Sequence, residues 1–263
     1  MTRSYVGSPA SGGERVPKTD ITVEVAGSLM GQHDAESALR GKTLLIVGAT
    51  GFLGVPLVEE LAALGARLFA ISRSPPLADR RNVVWLRGDV ADRAYVEEVF
   101  STLSPSIVFH LTSSSQGGRE LPALLDTVRD DFLATINVLY AAATAKVERF
   151  VMTGSLEEPR EAEPVPVSPY AAAKWAIGGY GRMFRMVYGL DVRIVRPMMT
   201  FGPGQKPFKL VPSTISLLMS NKQVTINSGP RLVDWVYRDD VVRGLILAAC
   251  VPSLSETVDL GTG

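Results

Sequence analysis

The sequence predicts an α/β fold, a doubly wound parallel sheet with helices on both faces, followed by a small, shortened C-terminal lobe. Two observations predict it: an apolar run that ends in a glycine cluster, and the regular alternation of strand and helix patterns behind it. The run is TLLIV (43–47) and the cluster GATGFLG (48–54). Five or so apolar residues without polar alternation suit a strand buried on both faces. Behind the cluster, Leu57, Val58, Leu61 and Leu64 recur at helical spacing until Gly65 stops the helix. RLFAIS (67–72), VVWLRG (83–88), SIVFHL (106–111), RFVMTG (149–154) and DVRIVRP (191–197) read as further strands, separated by helical patterns around 95–103, 130–145 and 170–188. Such a succession pairs its strands in parallel through right-handed crossovers.

The organisation follows. Residues 1–40, rich in Ser, Gly and mixed charge without a sustained period, read as a flexible N-terminal extension with one candidate docked strand at ITVEV (21–25). Residues 41–200 read as the sheet domain. Residues 201–263 are less regular, with helices near 211–221 and 239–249, and read as a partial substrate lobe whose last helix and strand return to the sheet.

Composition sets the outer bounds. With 263 residues, 46% of them hydrophobic, the chain can bury a sizeable core. Lys plus Arg and Asp plus Glu number 27 each, so no long-range field attracts nucleic acid or an anionic membrane, and neither is an expected partner. The lone Cys250 reads as a buried small hydrophobe and allows no internal disulfide; the N-terminus shows no apolar signal core. Uncharged stretches such as 43–58 are too short for a bilayer and are broken by Gly and Pro. A cytoplasmic location is therefore expected. With His33 and His110 as the two histidines and no ligand-spaced cluster, no metal site is expected, and His110 at a strand end reads as a core residue.

Gly48, Gly51 and Gly54 stand as G-x-x-G-x-x-G between a predicted strand and a predicted helix. In that context glycines permit a tight turn and close approach of backbone N–H groups to a pyrophosphate, at the positive end of the helix. This makes the expected sheet a Rossmann-type dinucleotide-binding domain; a purely structural turn is the alternative. Ser168 suits an N-cap and Pro169 a first helical position, which places Tyr170 in the first turn and Lys174 on the same face one turn later. A phenol with an ordinary pKa of about 10 transfers protons at neutral pH when positive charge lies beside it. A surface Tyr beside a solvated Lys is the plainer alternative.

The order of these features, with Ser155 ending the fifth strand before Tyr170 and Lys174, resembles the short-chain dehydrogenase/reductase superfamily. More narrowly the chain resembles its extended branch, the NAD-dependent epimerase/dehydratase family acting on nucleotide sugars. GATGFLG (48–54), GDV (88–90), VFHL (108–111), RFVMTGS (149–155), SPYAAAK (168–174), RPMMTFGPG (196–204), DWVYRDDVV (234–242) and DLGTG (259–263) carry the resemblance, which spans 42–263. It implies Tyr170 as general acid/base, Lys174 on the nicotinamide ribose while lowering the Tyr170 pKa, and Ser155 on the substrate oxygen. It implies further cofactor contacts from Gly48, Thr50, Gly51, Phe52, Leu53 and Gly54 in the turn, Ser72 and Arg73 after the second strand, Asp89 and Val90 beside the adenine, Leu111 and Thr112 beneath the cofactor, and Pro197. Ser155, Glu157 and Arg231 are the implied substrate contacts, and a homodimer the implied assembly.

Three departures narrow the reading. Sugar-nucleotide dehydratases of this family follow the strand-end Ser/Thr with Asp-Glu, the Asp serving as acid; here Leu156 stands in that place and cannot transfer a proton. TGSLEEP is closer to the GS-x-EE segment of 4-ketohexose reductases. Val233, where the family often has Arg, precedes Asp234, and the family continues past Gly261–Gly263. The expected function is reduction of a nucleotide-linked 4-keto-6-deoxyhexose by an NAD(P)-dependent oxidoreductase, with a 4-epimerase or a catalytically idle dinucleotide-binding protein as alternatives. Ser72 stands where NAD enzymes carry a carboxylate, and Arg73 follows it, so NADP(H) is expected over NAD(H); Arg73 stacked on adenine or turned to solvent is the alternative.

Overall fold

The structure, a computed structural model, describes residues 32–74, 82–113, 119–159, 165–225 and 232–262. The strands are β1 (Thr43–Val47), β2 (Arg67–Ser72), β3 (Val83–Arg87), β4 (Ile107–His110), β5 (Arg149–Thr153), β6 (Val192–Pro197), β7 (Met199–Phe201), β8 (Trp235–Tyr237) and β9 (Thr257–Leu260). Seven of them form one parallel sheet in the order β3-β2-β1-β4-β5-β6-β9, and β7 pairs with β8 in a separate ribbon. Leu44 to Val47 of β1 are fully buried, as a central strand covered on both faces requires. From β1 the chain winds outward to β3, then crosses back to β4 and winds the other way. The crevice at the carboxyl ends of β1 and β4 is thus the topological switch point, where such sheets bind ligands.

The helices are α1 (Gln32–Leu39), α2 (Gly54–Ala63), α3 (Arg93–Leu103), α4 (Ala123–Thr127), α5 (Ala134–Thr144), α6 (Pro169–Tyr188), α7 (Leu210–Met219) and α8 (Arg238–Cys250). One core lies under α1, α2 and α8, with Leu39, Leu57, Leu61, Val241 and Leu245; the other lies under α3, α5 and α6, with Phe100, Val138, Ile177 and Phe184. Cys250 is buried in the first. The lobe after residue 200 returns α8 and β9 to the main body, whereas Ile215, Leu218 and Met219 of α7 stay exposed.

Two local features differ from the sequence expectation. Residues 32–39 are helical rather than part of an extension: Ala35 and Leu39, four residues apart, place one face against the core, a signal too short to separate from chance. The ITVEV segment lies outside the described residues. The helix expected from residue 130 begins earlier, at Ala123, and Val128–Leu133 between α4 and α5 is π-helical. That wider turn leaves Asp130 partly exposed while Asp131 is fully buried.

Candidate active site

Gly48 takes φ +86°, and a Cβ there would stand 3.0 Å from the Leu111 carbonyl carbon and the Thr112 nitrogen. A side chain on Gly54 would run into the Gly48 carbonyl oxygen and the Ala49 backbone. Both glycines are therefore needed for a turn that folds back on itself at the start of α2. The turn opens on a cleft of about 200 Å³ lined by Gly48, Thr50, Gly51, Ser72, Arg73, Asp89, Val90, Leu111 and Thr112. Each of these carries an expected cofactor contact. Val47, Ile71, Ser74, Gly88, Ser113, Asp130 and Ala134 complete the lining. Phe52 and Leu53 are half-buried behind the turn, and Pro197 ends β6 away from the lining. A tight glycine turn, backbone N–H groups and a helix N-terminus fit a dinucleotide pyrophosphate.

At the β2 end of the cleft, the Ser72 hydroxyl shares a hydrogen bond with Thr50 Oγ1 at 2.6 Å and accepts the Ser74 N–H at 3.2 Å. Arg73, expected to meet a 2′-phosphate, instead donates to Asp130 Oδ2 at 2.8 Å. Arg129 donates to Asp130 Oδ1 at 2.6 Å and to Asp89. Partial burial raises the Asp89 carboxyl, but the Ala91 N–H and Arg129 overcome it and hold the group below its ordinary value. Arg129 and Asp130 were missed in the sequence because they meet partners 40 and 57 positions away. The charged run RDD in a helix that borders the switch point is the signal that would have found them.

Tyr170, Lys174 and Ser155 are not part of the cleft lining but adjoin it through Ser113. There Ser168 caps α6 by accepting the Ala171 N–H at 3.0 Å, with Pro169 in the first turn. This sets the half-buried Tyr170 against β5. Its hydroxyl is hydrogen-bonded to Ser155, which follows β5, and to Ser113, which follows β4. Lys174 is buried at 2% exposure, with Nζ 5.9 Å from the Tyr170 ring centroid and donating to the Thr153 carbonyl at 2.9 Å. Burial pulls this ammonium below its ordinary value, against the raising charges of Asp131 and Glu158. Tyr170 is pushed up to about 12, first by loss of solvent; the bonds from Ser155 and Ser113 act the other way, and Glu157 and Asp131 add to the rise. The expected depression of the phenol is not met in the free protein: loss of solvent outweighs every lowering contribution.

Beneath the site, His110 Nε2 lies 2.8 Å from Thr135 Oγ1 and 2.9 Å from Thr112 Oγ1. Burial, then the Lys174 charge, lowers its pKa to about 3, so the imidazole is a neutral core group. Glu158 is buried and its Oε1 accepts the Ser155 N–H at 2.6 Å, which fixes the turn carrying that serine. Desolvation raises the Glu158 carboxyl despite the Ser155 N–H and the nearby Arg196, Lys174 and Arg182. Leu156 is partly exposed and Glu157 exposed beside Ser155, while Arg231 lies outside the described residues. Among the described residues no cluster of three His, Cys, Asp or Glu side chains converges, and no helix is long and apolar enough to cross a membrane.

The pattern of the NAD dependent epimerase/dehydratase family matches residues 44–259. The chain belongs to this family. It is an enzyme of the extended short-chain dehydrogenase/reductase class. A dTDP-glucose 4,6-dehydratase of Streptomyces griseus is 33% identical over 225 residues, 77% of this chain and 68% of that protein. A probable dTDP-glucose 4,6-dehydratase of Sinorhizobium fredii is 28% identical over 233 residues, 78% and 67% respectively. The structure of UDP-glucose 4-epimerase from Thermus thermophilus, in complex with NAD, superposes with a TM-score of 0.68 at 26% identity, covering 84% of this chain and 78% of that one. The bound NAD of that neighbour lends no support to an NADP preference, and Arg73 is paired with Asp130 in the absence of a dinucleotide.

Proposed function

We propose that this family member is a nicotinamide-dependent oxidoreductase that reduces the keto group of a nucleotide-linked 4-keto-6-deoxyhexose. The observation that carries the reading is the Tyr170 hydroxyl held between two serines beside a leucine. When bound, the dinucleotide supplies the hydride to the carbonyl carbon. Tyr170 is protonated in the free protein, and in the reaction it gives its proton to the carbonyl oxygen, which becomes strongly basic as hydride arrives, while Ser155 holds that oxygen by a hydrogen bond. Lys174, anchored on Thr153, keeps positive charge beneath the phenol ring and stabilises the phenolate that results. Glu158 acts through Ser155 by fixing its turn, and Glu157 stands exposed for a sugar hydroxyl.

Dehydration at C6, named in the curated relatives, needs an acid for the departing hydroxyl as well as a base for the C5 proton. Leu156 and a single exposed Glu157 beside Ser155 supply one carboxylate for two tasks. A 4-epimerase remains the second reading, favoured by the NAD-containing UDP-glucose 4-epimerase neighbour. The deciding experiment incubates purified protein with NADH or NADPH and a panel of nucleotide-linked 4-ketohexoses. Stoichiometric oxidation of the reduced cofactor supports reduction. Interconversion of two epimers without net oxidation would replace it with epimerisation, and release of water from a nucleotide-linked glucose would replace it with dehydration.

A homodimer belongs to the same proposal. Leu125, Val128, Tyr140, Tyr180 and Met186 leave an apolar surface exposed on the helices from α4 to α6, a composition suited to burial against a second copy. Sedimentation of the full chain tests it; a monomer at micromolar concentration would remove the dimer from the reading.

A further inference from the structure

Four charged side chains border the cleft where β2 and β3 end. Asp130 sits between two guanidinium groups, taking Arg73 Nη1 on Oδ2 at 2.8 Å and Arg129 Nη1 on Oδ1 at 2.6 Å. Arg129 reaches on to Asp89, which also accepts the Ala91 N–H. Arg73, Asp89 and Asp130 all line the cleft. The arginine side chains are 59% and 52% exposed, the Asp130 side chain 20%. The carboxylate is therefore the anchored partner, held by its helical segment, and the arginines are the groups free to turn. Ion pairs this open to water hold a fold weakly, so stability does not account for a carboxylate between two arginines on the wall of the cleft.

In a sheet wound this way, a carboxylate at the end of β2 accepts hydrogen bonds from the adenosine ribose and repels a 2′-phosphate. Here that position is Ser72, neutral, buried and already bonded to Thr50 Oγ1 and the Ser74 N–H. The geometry points to Asp130 as the residue that supplies the missing carboxylate from the other side of the cleft, and so selects NAD(H) over NADP(H). Asp130 acts in two ways. Its charge opposes a second anion, and it occupies Arg73, the cation that would otherwise grip a 2′-phosphate. The four groups carry two positive and two negative charges, so this end of the cleft offers a phosphate no net attraction. A phosphate would have to take Arg73 from a carboxylate and then lie beside that carboxylate. The inference rests on the dinucleotide reading of the cleft.

The test is calorimetric titration of the full chain with NADH and NADPH, without sugar substrate. Wild-type protein is expected to bind NADH about tenfold more tightly, or better. Asp130→Asn keeps the size and removes the charge; it is expected to tighten NADPH by about tenfold while NADH stays within about threefold. Adding Arg73→Ala to Asp130→Asn is expected to return NADPH to its wild-type weakness, because the gain runs through the released guanidinium. Asp130→Ser, which cannot bridge both arginines, is expected to behave as Asp130→Asn does, and circular dichroism checks that each variant is folded. Equal affinities in wild type, or a ratio that neither Asp130 variant changes, overturns the role of Asp130 and leaves the cleft reading standing. A folded wild-type protein that binds neither dinucleotide overturns the cleft reading itself, and the inference with it.

Discussion

The two ends of the site, the charged wall of the cleft and the Tyr170 cluster that adjoins it at Ser113, are built from opposite materials. Around Tyr170, the polar groups are largely withdrawn from water and are satisfied mainly by hydroxyls and carbonyls: Ser155, Ser113, Thr153, Thr135. Around Arg73, they are exposed and satisfied by opposite charges. Burial moves proton affinities by whole pKa units, as at Tyr170 and His110, whereas solvent-exposed ion pairs exchange partners at small cost. The difference teaches where each task can be placed. Proton transfer needs the first environment, because a rigidly held donor is what catalysis uses. Discrimination between similar anions needs the second, because recognition there is a competition among charges.

The comparison breaks first at Tyr170. Tyr170→Phe retains the ring and removes the proton donor, so turnover is expected to fall by about 10²–10⁴-fold while dinucleotide affinity is little changed. Steady-state rates alongside titration check this. Wild-type turnover in the variant would mean that the buried end is structural and the chemistry lies elsewhere. The shared centre of the cleft comes next. Gly54→Ala places a methyl against backbone at Gly48 and Ala49, atoms that yield only if the turn opens. Dinucleotide binding is expected to weaken on the order of a hundredfold, and unchanged affinity for both NADH and NADPH would show that the turn is not their cradle.

His110 sharpens the contrast through pH. Its folded pKa of about 3 lies below the ordinary 6.5, so between those values the unfolded chain binds more protons than the folded one. Stability is then fully present above about pH 6.5 and is lost as pH falls toward 3, by at most roughly 1.4 kcal/mol per pH unit from this group. Thermal melting from pH 7 to 4 should show that loss, and His110→Asn should flatten it relative to wild type. Identical acid limbs in the two proteins would mean that the imidazole is solvated and that this end of the cleft is not dry.

How much of this was legible in the sequence follows the same division. The glycine turn, Ser155, Ser168, Tyr170 and Lys174 act through neighbours within a few positions or through strand ends that periodicity locates, so their placement could be read from local pattern. The parallel pairing of the sheet followed from alternation alone, whereas its strand order is defined only by the fold. The pairing of Arg73 with Asp130 joins the end of β2 to a π-helical turn, and neither the pairing nor the π geometry has a local signature. Arg73 therefore reads as an isolated cation in the sequence, and the expectation of NADP(H) built on it finds no support in the NAD-binding neighbour. The rise of the Tyr170 pKa escapes the sequence for a related reason: spacing shows that Lys174 shares its face, but not that water is excluded from the phenol. Glu158 was visible as part of TGSLEEP, yet its bond to the Ser155 N–H depends on a turn that only the fold defines.

The smallest expected effect lies at Arg129. Its guanidinium bonds to both Asp130 and Asp89. It is also half exposed, and an ion pair in that setting gains little over its hydrated, separated charges. Arg129→Ala is therefore expected to lower the melting temperature by less than about 3 °C. The change in NADH affinity should be a few-fold at low salt and should shrink as ionic strength rises, because an exposed charge is screened beyond about 10 Å at 0.1 M salt. Arg73 keeps its bond to Asp130 in this variant, so the ratio of NADH to NADPH affinity should move less than it does on removal of the Asp130 charge. A loss of stability much larger than this, insensitive to salt, would show that the charged end is part of the folding core, and the division between the two ends would fail there.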